Sequence, residues 1–188
     1  MVDYTDVINE ISQLLFKAIS EREPDLRSKV HQLYRELYKL LRLVGLQVVS
    51  MLLGWLSTQV TQEAKATGMT VHRRKQVKYK SLFGETKIES PYLWNKNTRR
   101  GARPVKEQLG IEHGGHSLAV ERALADFGVE ESFGQASLRF EEHYGWAIDR
   151  ATMRREVEHT ALKAEQYVEI RLLEAQLDYS QPKKIRPS

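Results

Sequence analysis

Three sets of side chains carry the chemical potential of this sequence. The carboxylates Glu21, Glu23, Asp25, Glu141, Glu142, Glu156 and Glu158 are of the type that holds divalent metals in catalytic pairs or triads. They fall in helix-patterned segments, with no strand-rich region to bring three of them to one point. Solvated helix faces are therefore their expected role. His113 and His116 bracket two glycines and resemble half a metal site. Two histidines fall short of the three or four ligands a zinc ion takes, so a polar loop without metal is expected there. The absence of cysteine removes disulfides, thiolate metal sites and cysteine nucleophiles together. It also fits a reducing compartment, and the expected location is cytoplasmic.

The third set is cationic. Between Thr70 and Lys106 lie Arg73, Arg74, Lys75, Lys78, Lys80, Lys87, Lys96, Arg99, Arg100, Arg103 and Lys106, against only Glu85 and Glu89. The net charge of the whole chain is only +4, so a strongly basic module sits between two acidic stretches. Such a module attracts polyanions, chiefly nucleic acid. The plainer reading is that lysine and arginine guard exposed strand edges against aggregation.

The elements that must position these cations follow from local patterns. Val77 to Leu82 and Thr86 to Tyr92 alternate apolar and polar residues, with Phe83-Gly84-Glu85 as the expected turn of a β-hairpin. One face would carry Val77, Tyr79, Ile88 and Tyr92, the other Lys78, Lys80, Lys87 and Glu89. Pro91 must stand at an edge or strand end. Tyr79, Phe83, Tyr92 and Trp94 interleave with the charge, as base-stacking residues do and as core strand residues also do. Asn95 to Pro104 reads as a flexible basic loop of the kind that orders on DNA.

Before this module, Val7, Ile8, Ile11, Leu14, Leu15, Ala18 and Ile19 predict a first helix capped by Asp3 or Thr5. Pro24 suits the first turn of a second helix, which has no clear stop until Gly68. From Asp25 to Ala66 it would span about 60 Å. Val30, Leu33, Leu37, Leu40, Val44, Val48, Met51, Trp55 and Val60 form its seam, and Gly45 and Gly54 allow a kink or a close crossing. The seam implies either a homodimer through this helix, centred on Leu37 to Trp55, or a helical hairpin within one chain. The uncharged run Leu43 to Gln62 contains several polar residues, and reads as a buried or partner-facing helix rather than a membrane span.

After the module, Ser117 to Phe127 predicts a helix ending at Gly128, and Ser132 to Tyr144 a second ending at Gly145. Trp146-Ala147-Ile148 connects to a third, capped by Asp149. Ala136, Gly145, Ile148 and Met153 meet the packing needs of a helix-turn-helix. Met153 and Val157 would face inward. Ala151, Arg154, Arg155 and Glu158 would face outward, with Arg150 on the flank, placing arginines where they can enter a major groove. Ala161, Ala164, Val168, Leu172 and Ala175 extend the third helix toward Leu177, and Lys183 to Ser188 reads as a linker. The expected fold is mainly α, with long N-terminal helices, a small β-hairpin, and a helix-turn-helix-like three-helix unit with an extended last helix. Its expected divisions are 1–68, 69–104 and 105–188.

The order of these elements carries a family resemblance. Leu82-Phe83-Gly84-Glu85 leads to Ile88 and Tyr92, then to Pro104-Val105-Lys106-Glu107-Gln108-Leu109-Gly110 and Ser132-Phe133-Gly134-Gln135-Ala136-Ser137. Gly145 to Arg155 closes the series. Together they resemble the N-terminal half of bacterial DDE-type insertion-sequence transposases of the Kra-like group, over roughly Met69 to Arg186. The resemblance implies binding of terminal inverted repeats in double-stranded DNA. It places strand transfer in a later ribonuclease-H-like domain, whose carboxylates hold two divalent metals and whose first strand is expected just beyond Pro187. No catalytic residue, cofactor or metal is then expected in this chain. Some relatives carry paired cysteines after the hairpin tyrosine, and Tyr92 to Lys96 has none. The expected DNA-binding residues are Arg150, Arg154 and Arg155 in the major groove, and Lys78, Lys80, Lys87, Arg99, Arg100 and Arg103 on phosphates. A regulator that competes with the full transposase, and a helical scaffold without DNA binding, are the other readings.

Overall fold

The computed structural model describes residues 3–22, 30–111 and 114–179. The described chain is mainly helical and forms two compact units, Met1–Ser117 and Leu118–Ser188. The reason is packing. The short helix at Pro104–Gln108 contributes Val105 to a core with Leu53 and Val60 from the long N-terminal helix and Ile88 from the β-hairpin.

In the first unit, helix α1 (Thr5–Arg22) opens on Asp3, whose carboxylate accepts from the Thr5 amide and hydroxyl. Helix α2 (Val30–Ala66) runs 37 residues, and the expected start at Pro24 and Asp25 lies outside the described residues. It stops where expected. Gly68 takes φ +84°, its N–H bonds the Lys65 carbonyl, and the Met69 N–H bonds that of Ala64. This double return satisfies two orphan carbonyls, and the left-handed residue is one that glycine adopts without strain.

The apolar residues of α2 divide into three sets, to which the expected seam contributes Leu33 and Leu37, Val60, and Val44 to Trp55. Leu33, Leu37 and Leu41 face Leu15, Phe16 and Ile19 of α1. Leu53 and Val60, with Val49 beside them, enter the core. Val44, Val48, Met51 and Trp55 remain exposed, so Val60 alone of the expected seam reaches this core. The cause is angular. The row holding Leu53 and Val60 lies across the helix from the row holding Val48 and Trp55.

Five strands follow in two antiparallel sheets: β1 (Thr70–Arg73), β2 (Gln76–Ser81), β3 (Gly84–Glu89), β4 (Tyr92–Asn95) and β5 (Arg100–Ala102). β2 pairs with β3 alone, and β4 lies between β1 and β5. The hairpin turn is Leu82-Phe83, because Ser81 pairs with Gly84, so the expected turn shifts by one residue. Gly84 has φ +133° and begins β3. Phe83 lies against Gly45 of α2, where a Cβ would come within 2.5 Å of its ring. Ser50 bonds Thr86 at 2.8 Å, and Ser57, one heptad on, donates to the Glu89 carbonyl. These contacts dock β3 on α2. The outer edge of β2 is covered as well. Lys80 N–H donates to the Gly115 carbonyl, and Ser117 N–H to that of Lys80. Helix α3 (Pro104–Gln108) follows β5, with proline at its first turn.

The second unit packs α4 (Leu118–Glu130), α5 (Phe133–Tyr144) and α6 (Arg150–Tyr179). Val120, Leu124, Ala136, Phe140, Ile148 and Met153 form its core. Phe140 sits among Phe127, Tyr144 and Trp146, with the Trp146 ring 5.0 Å away. Ser132 caps α5 by accepting from the Gln135 N–H, and Gly145 ends it in the left-handed region at φ 68°. Gly128 does not stop α4, contrary to expectation. A Cβ there would lie 2.3 Å from Cγ2 of Val157, so the glycine serves the close crossing of α4 and α6. Gly128→Ala is therefore expected to destabilise this unit by about 1–3 kcal/mol through overpacking, despite alanine's ~1 kcal/mol helical advantage. Chemical denaturation of the two proteins checks this, and a gain in stability would contradict it.

Asp149 caps α6 as expected. Its carboxylate accepts from the Thr152 N–H at 2.9 Å and from the Thr152 hydroxyl at 2.7 Å. The hydroxyl first, then the amide, hold its pKa below the ordinary carboxylate value. A folded pKa below the unfolded one contributes stability above the unfolded value near ~3.9 and loses it as pH falls through the folded value. Asp149→Ala should cost about 1 kcal/mol near neutral pH. The gap between the two proteins should close below the usual carboxylate range, as pH-dependent thermal melting will show. Beyond Thr160, α6 is exposed on all sides up to Ala175.

Candidate nucleic-acid interface

The β2–β3 register decides which cations face outward. Val77 opposes Ile88 and Tyr79 opposes Thr86 on the packed face, while Lys78 opposes Lys87 and Lys80 opposes Glu85 on the other. Two ammonium groups directly across a strand pair repel each other. Glu85 offsets part of that, with its carboxylate 2.9 Å from Lys78 Nζ. Lys80 is half-buried, and its Nζ lies 3.3 Å from Nε2 of the buried His116. Lys78 and Lys87 are thus the outward cations of this face, and Lys80 is partly committed to the segment at 114–117. Tyr92 departs from the expected hairpin face because it belongs to β4 in the other sheet.

The expected basic loop after the hairpin is itself a hairpin, β4–β5. Asn95 Oδ1 accepts from the N–H groups of Asn97 and Thr98, at 2.9 and 3.1 Å, and this closes the turn. Arg99 follows at φ 52°, the only non-glycine residue in the left-handed region among the described residues. Arg99 and Arg100 are exposed at this tip, Arg100 opposite Asn95. Arg103 is half-buried at the start of α3, where its N–H donates to Glu107 Oε1 at 3.1 Å. The expectation of a flexible segment fails because a side-chain-closed turn and three cross-strand pairs fix it.

Two clefts in this unit gather cations. One, of about 430 Å³, is lined by Ser57, Thr58, Thr61, Gln62 and Lys65 of α2 and by Arg74, Gln76, Lys87 and Glu89. Arg74 and Glu89 approach to 3.5 Å across it. The other, of about 650 Å³, has Arg103 and Lys106 on its wall with Glu107. Lys87 therefore keeps company with Lys65 and Arg74, and Arg103 with Lys106. Sequence reasoning missed Lys65, which lies in the last turn of a helix read for its apolar seam. Its position three residues before the stop at Gly68 was the available signal.

The interleaved aromatics all make packing contacts, although Phe83 remains 42% exposed. Tyr79 leans on the core, Phe83 on Gly45, and Tyr92 on Gly101, where a Cβ would fall 1.8 Å from its hydroxyl. Trp94 is half-buried, opposite Thr70 and Gly101.

In the second unit, Thr152, Met153 and Glu156 face inward and Val157 is half-buried. Among the described carboxylates of that set, Glu156 is the exception to the expectation of solvated faces, because it follows Thr152 and Met153 on the same helical row. Arg150, Ala151, Arg154, Arg155 and Glu158 are exposed on the first turns of α6. Arg150 and Arg154 border a shallow depression with Phe133, Ala151 and Glu158. Arg154 Nε donates to Glu158 at 2.7 Å, and that carboxylate raises the guanidinium pKa. Arg155 donates to the Thr152 hydroxyl at 3.0 Å. The arginines are thus pre-oriented by neighbours on their own helix while their faces stay open to solvent.

Among the described residues no three histidine or acidic side chains converge as a metal site, and His113 lies outside them. Compared with models of known families, with curated proteins and with solved structures, the chain finds no match.

Proposed function

We propose that this chain is the DNA-binding, N-terminal part of a DDE-type insertion-sequence transposase, recognising the terminal inverted repeats of its element. The observation that carries the reading is the arginine row of α6. A glycine turn and an aspartate cap hold the start of that helix against α5. Met153 anchors it, and Arg150, Arg154 and Arg155 are exposed to solvent, Arg154 paired with Glu158 and Arg155 bonded to Thr152. That is what a recognition helix needs in order to place guanidinium groups at guanine edges. The like-charged pair Lys78–Lys87 and the Arg99–Arg100 tip support the same reading. Strands that tolerate facing ammonium groups gain most when phosphates lie between them.

In this reading the chain binds and positions DNA. Cutting and joining, and the divalent metals they require, belong to the ribonuclease-H-like domain of the whole enzyme. The test is fluorescence anisotropy of a labelled duplex carrying the element's terminal repeats, titrated with the full chain across a salt series. With about six phosphates neutralised, log affinity should fall against log salt with a slope near −5. An unrelated duplex should bind more weakly at every salt. No binding at about 50 mM salt, or a flat salt dependence, would overturn the proposal.

A further inference from the structure

We infer that the exposed stripe of α2 is the seam of a homodimer, in which the α2 helices of two copies pack along Val44, Val48, Met51 and Trp55. This inference stands apart from DNA binding. The four residues follow one another at spacings of four, three and four. That is a 3.5-residue period, which keeps an apolar row in register with a second helix coiled around it. Each is more than a third exposed, Met51 and Trp55 at 65% and 59%. The opposite side of the same helix is filled by its own hairpin and α3, through Leu53, Ser57 and Val60.

Three observations favour a second copy over another occupant. The stripe and Leu52 beside it offer roughly 500–600 Å² per molecule, the larger part of the ~800 Å² per partner of a stable interface. No charged residue occurs from Leu43 to Gln62, so two identical faces meet without like-charge repulsion. A partner helix needs the same period to interdigitate, and an identical helix has it by construction. Helix α1 also presents Val7, Ile11 and Leu14 to solvent, while Leu15, Ile19 and Ser20 are half-buried. Two helical hairpins meeting face to face would cover both rows as a four-helix bundle. The segment Gln32–Ala66 is also long and apolar enough to cross a membrane, with a mean hydropathy of 1.7 in its most apolar window. The test must separate that outcome.

Sedimentation velocity of the full chain from about 1 to about 100 µM should give a dimer, with the monomer appearing only on dilution. The double variant Val48→Glu/Met51→Glu should sediment as a monomer with an unchanged far-ultraviolet spectrum. Because the chain has no cysteine, Val48→Cys provides a check that leaves the stripe apolar. A short bis-maleimide should join it into a covalent dimer, and should leave the exposed control Glu141→Cys monomeric. A wild-type monomer at the highest concentration would overturn the inference. So would failure of Val48→Cys to cross-link more than the control, or flotation of a monomeric chain with anionic lipid vesicles.

Discussion

Alanine at Lys78, Lys87, Arg99 and Arg100 together is expected to lower affinity for duplex DNA about 500-fold at roughly 0.15 M salt, without unfolding the chain. Each phosphate contact contributes close to 0.9 to the salt exponent, which at this ionic strength is about fivefold per contact. All four side chains are exposed, and only Lys78 has a close acidic partner, Glu85. Their loss should therefore leave thermal stability within about 0.5 kcal/mol. The salt slope should shrink from near −5 to near −1.5, equally for cognate and unrelated duplexes. Arg154→Ala should behave differently. Its loss should cost about 1–3 kcal/mol on the cognate site and far less elsewhere, because a base-reading arginine discriminates where a phosphate-binding lysine does not. Anisotropy with both duplexes separates the two effects. Equal losses for both proteins on both DNAs would remove α6 from the reading role.

Phe140→Ala should be the most damaging single substitution in the second unit. The ring is fully buried, with Tyr144 at 4.8 Å and Trp146 at 5.0 Å between centroids. Truncating such a phenylalanine costs about 3–5 kcal/mol in transfer and cavity terms. A unit of this size has a total stability of roughly 4–10 kcal/mol, so a large part of it would be lost. Urea unfolding followed by Trp146 fluorescence, in a chain with Trp55 and Trp94 changed to phenylalanine, would report the shift directly. An unmoved midpoint would show that Phe140 does not carry this core. If the three-helix unit melts at the assay temperature, specific DNA recognition should vanish with it while nonspecific binding by the first unit persists.

Much of this architecture is legible in the sequence wherever one residue answers one local need. Ser132, Gly145 and Asp149 mark helix ends because a cap needs a short oxygen acceptor or a left-handed glycine, and few other residues supply either. The alternation in β2 and β3 announces which lysines face outward, since period two leaves no other choice. Legibility fails where the need is tertiary. Gly128 has the look of a helix stop, yet its purpose is the approach of Val157 from a helix nearly thirty residues away. The strands Thr70–Arg73 and Arg100–Ala102 are short and largely exposed, so no alternation betrays them. The α2 seam misleads for a related reason. Val60 reads linearly as one more step of the exposed stripe, although it lies across the helix with Leu53, and only the packed hairpin separates it. At the candidate interface, residue type gives the charge, while the register decides that Lys80 turns partly toward His116 and that Lys87 lies beside Lys65 and Arg74.

The bonds joining Lys80 to Gly115 and Ser117 impose a timetable on folding. A ribbon closed by a two-residue turn zips within microseconds, whereas during synthesis at about 5–20 residues per second its third row follows about 2–7 s later. For that interval the outer border of β2 is bare, an open template for any extended strand that drifts past. Crowding of nascent chains is thus most hazardous before Gly115 arrives, and slowing that arrival should raise the yield of misassembled material without altering the finished molecule.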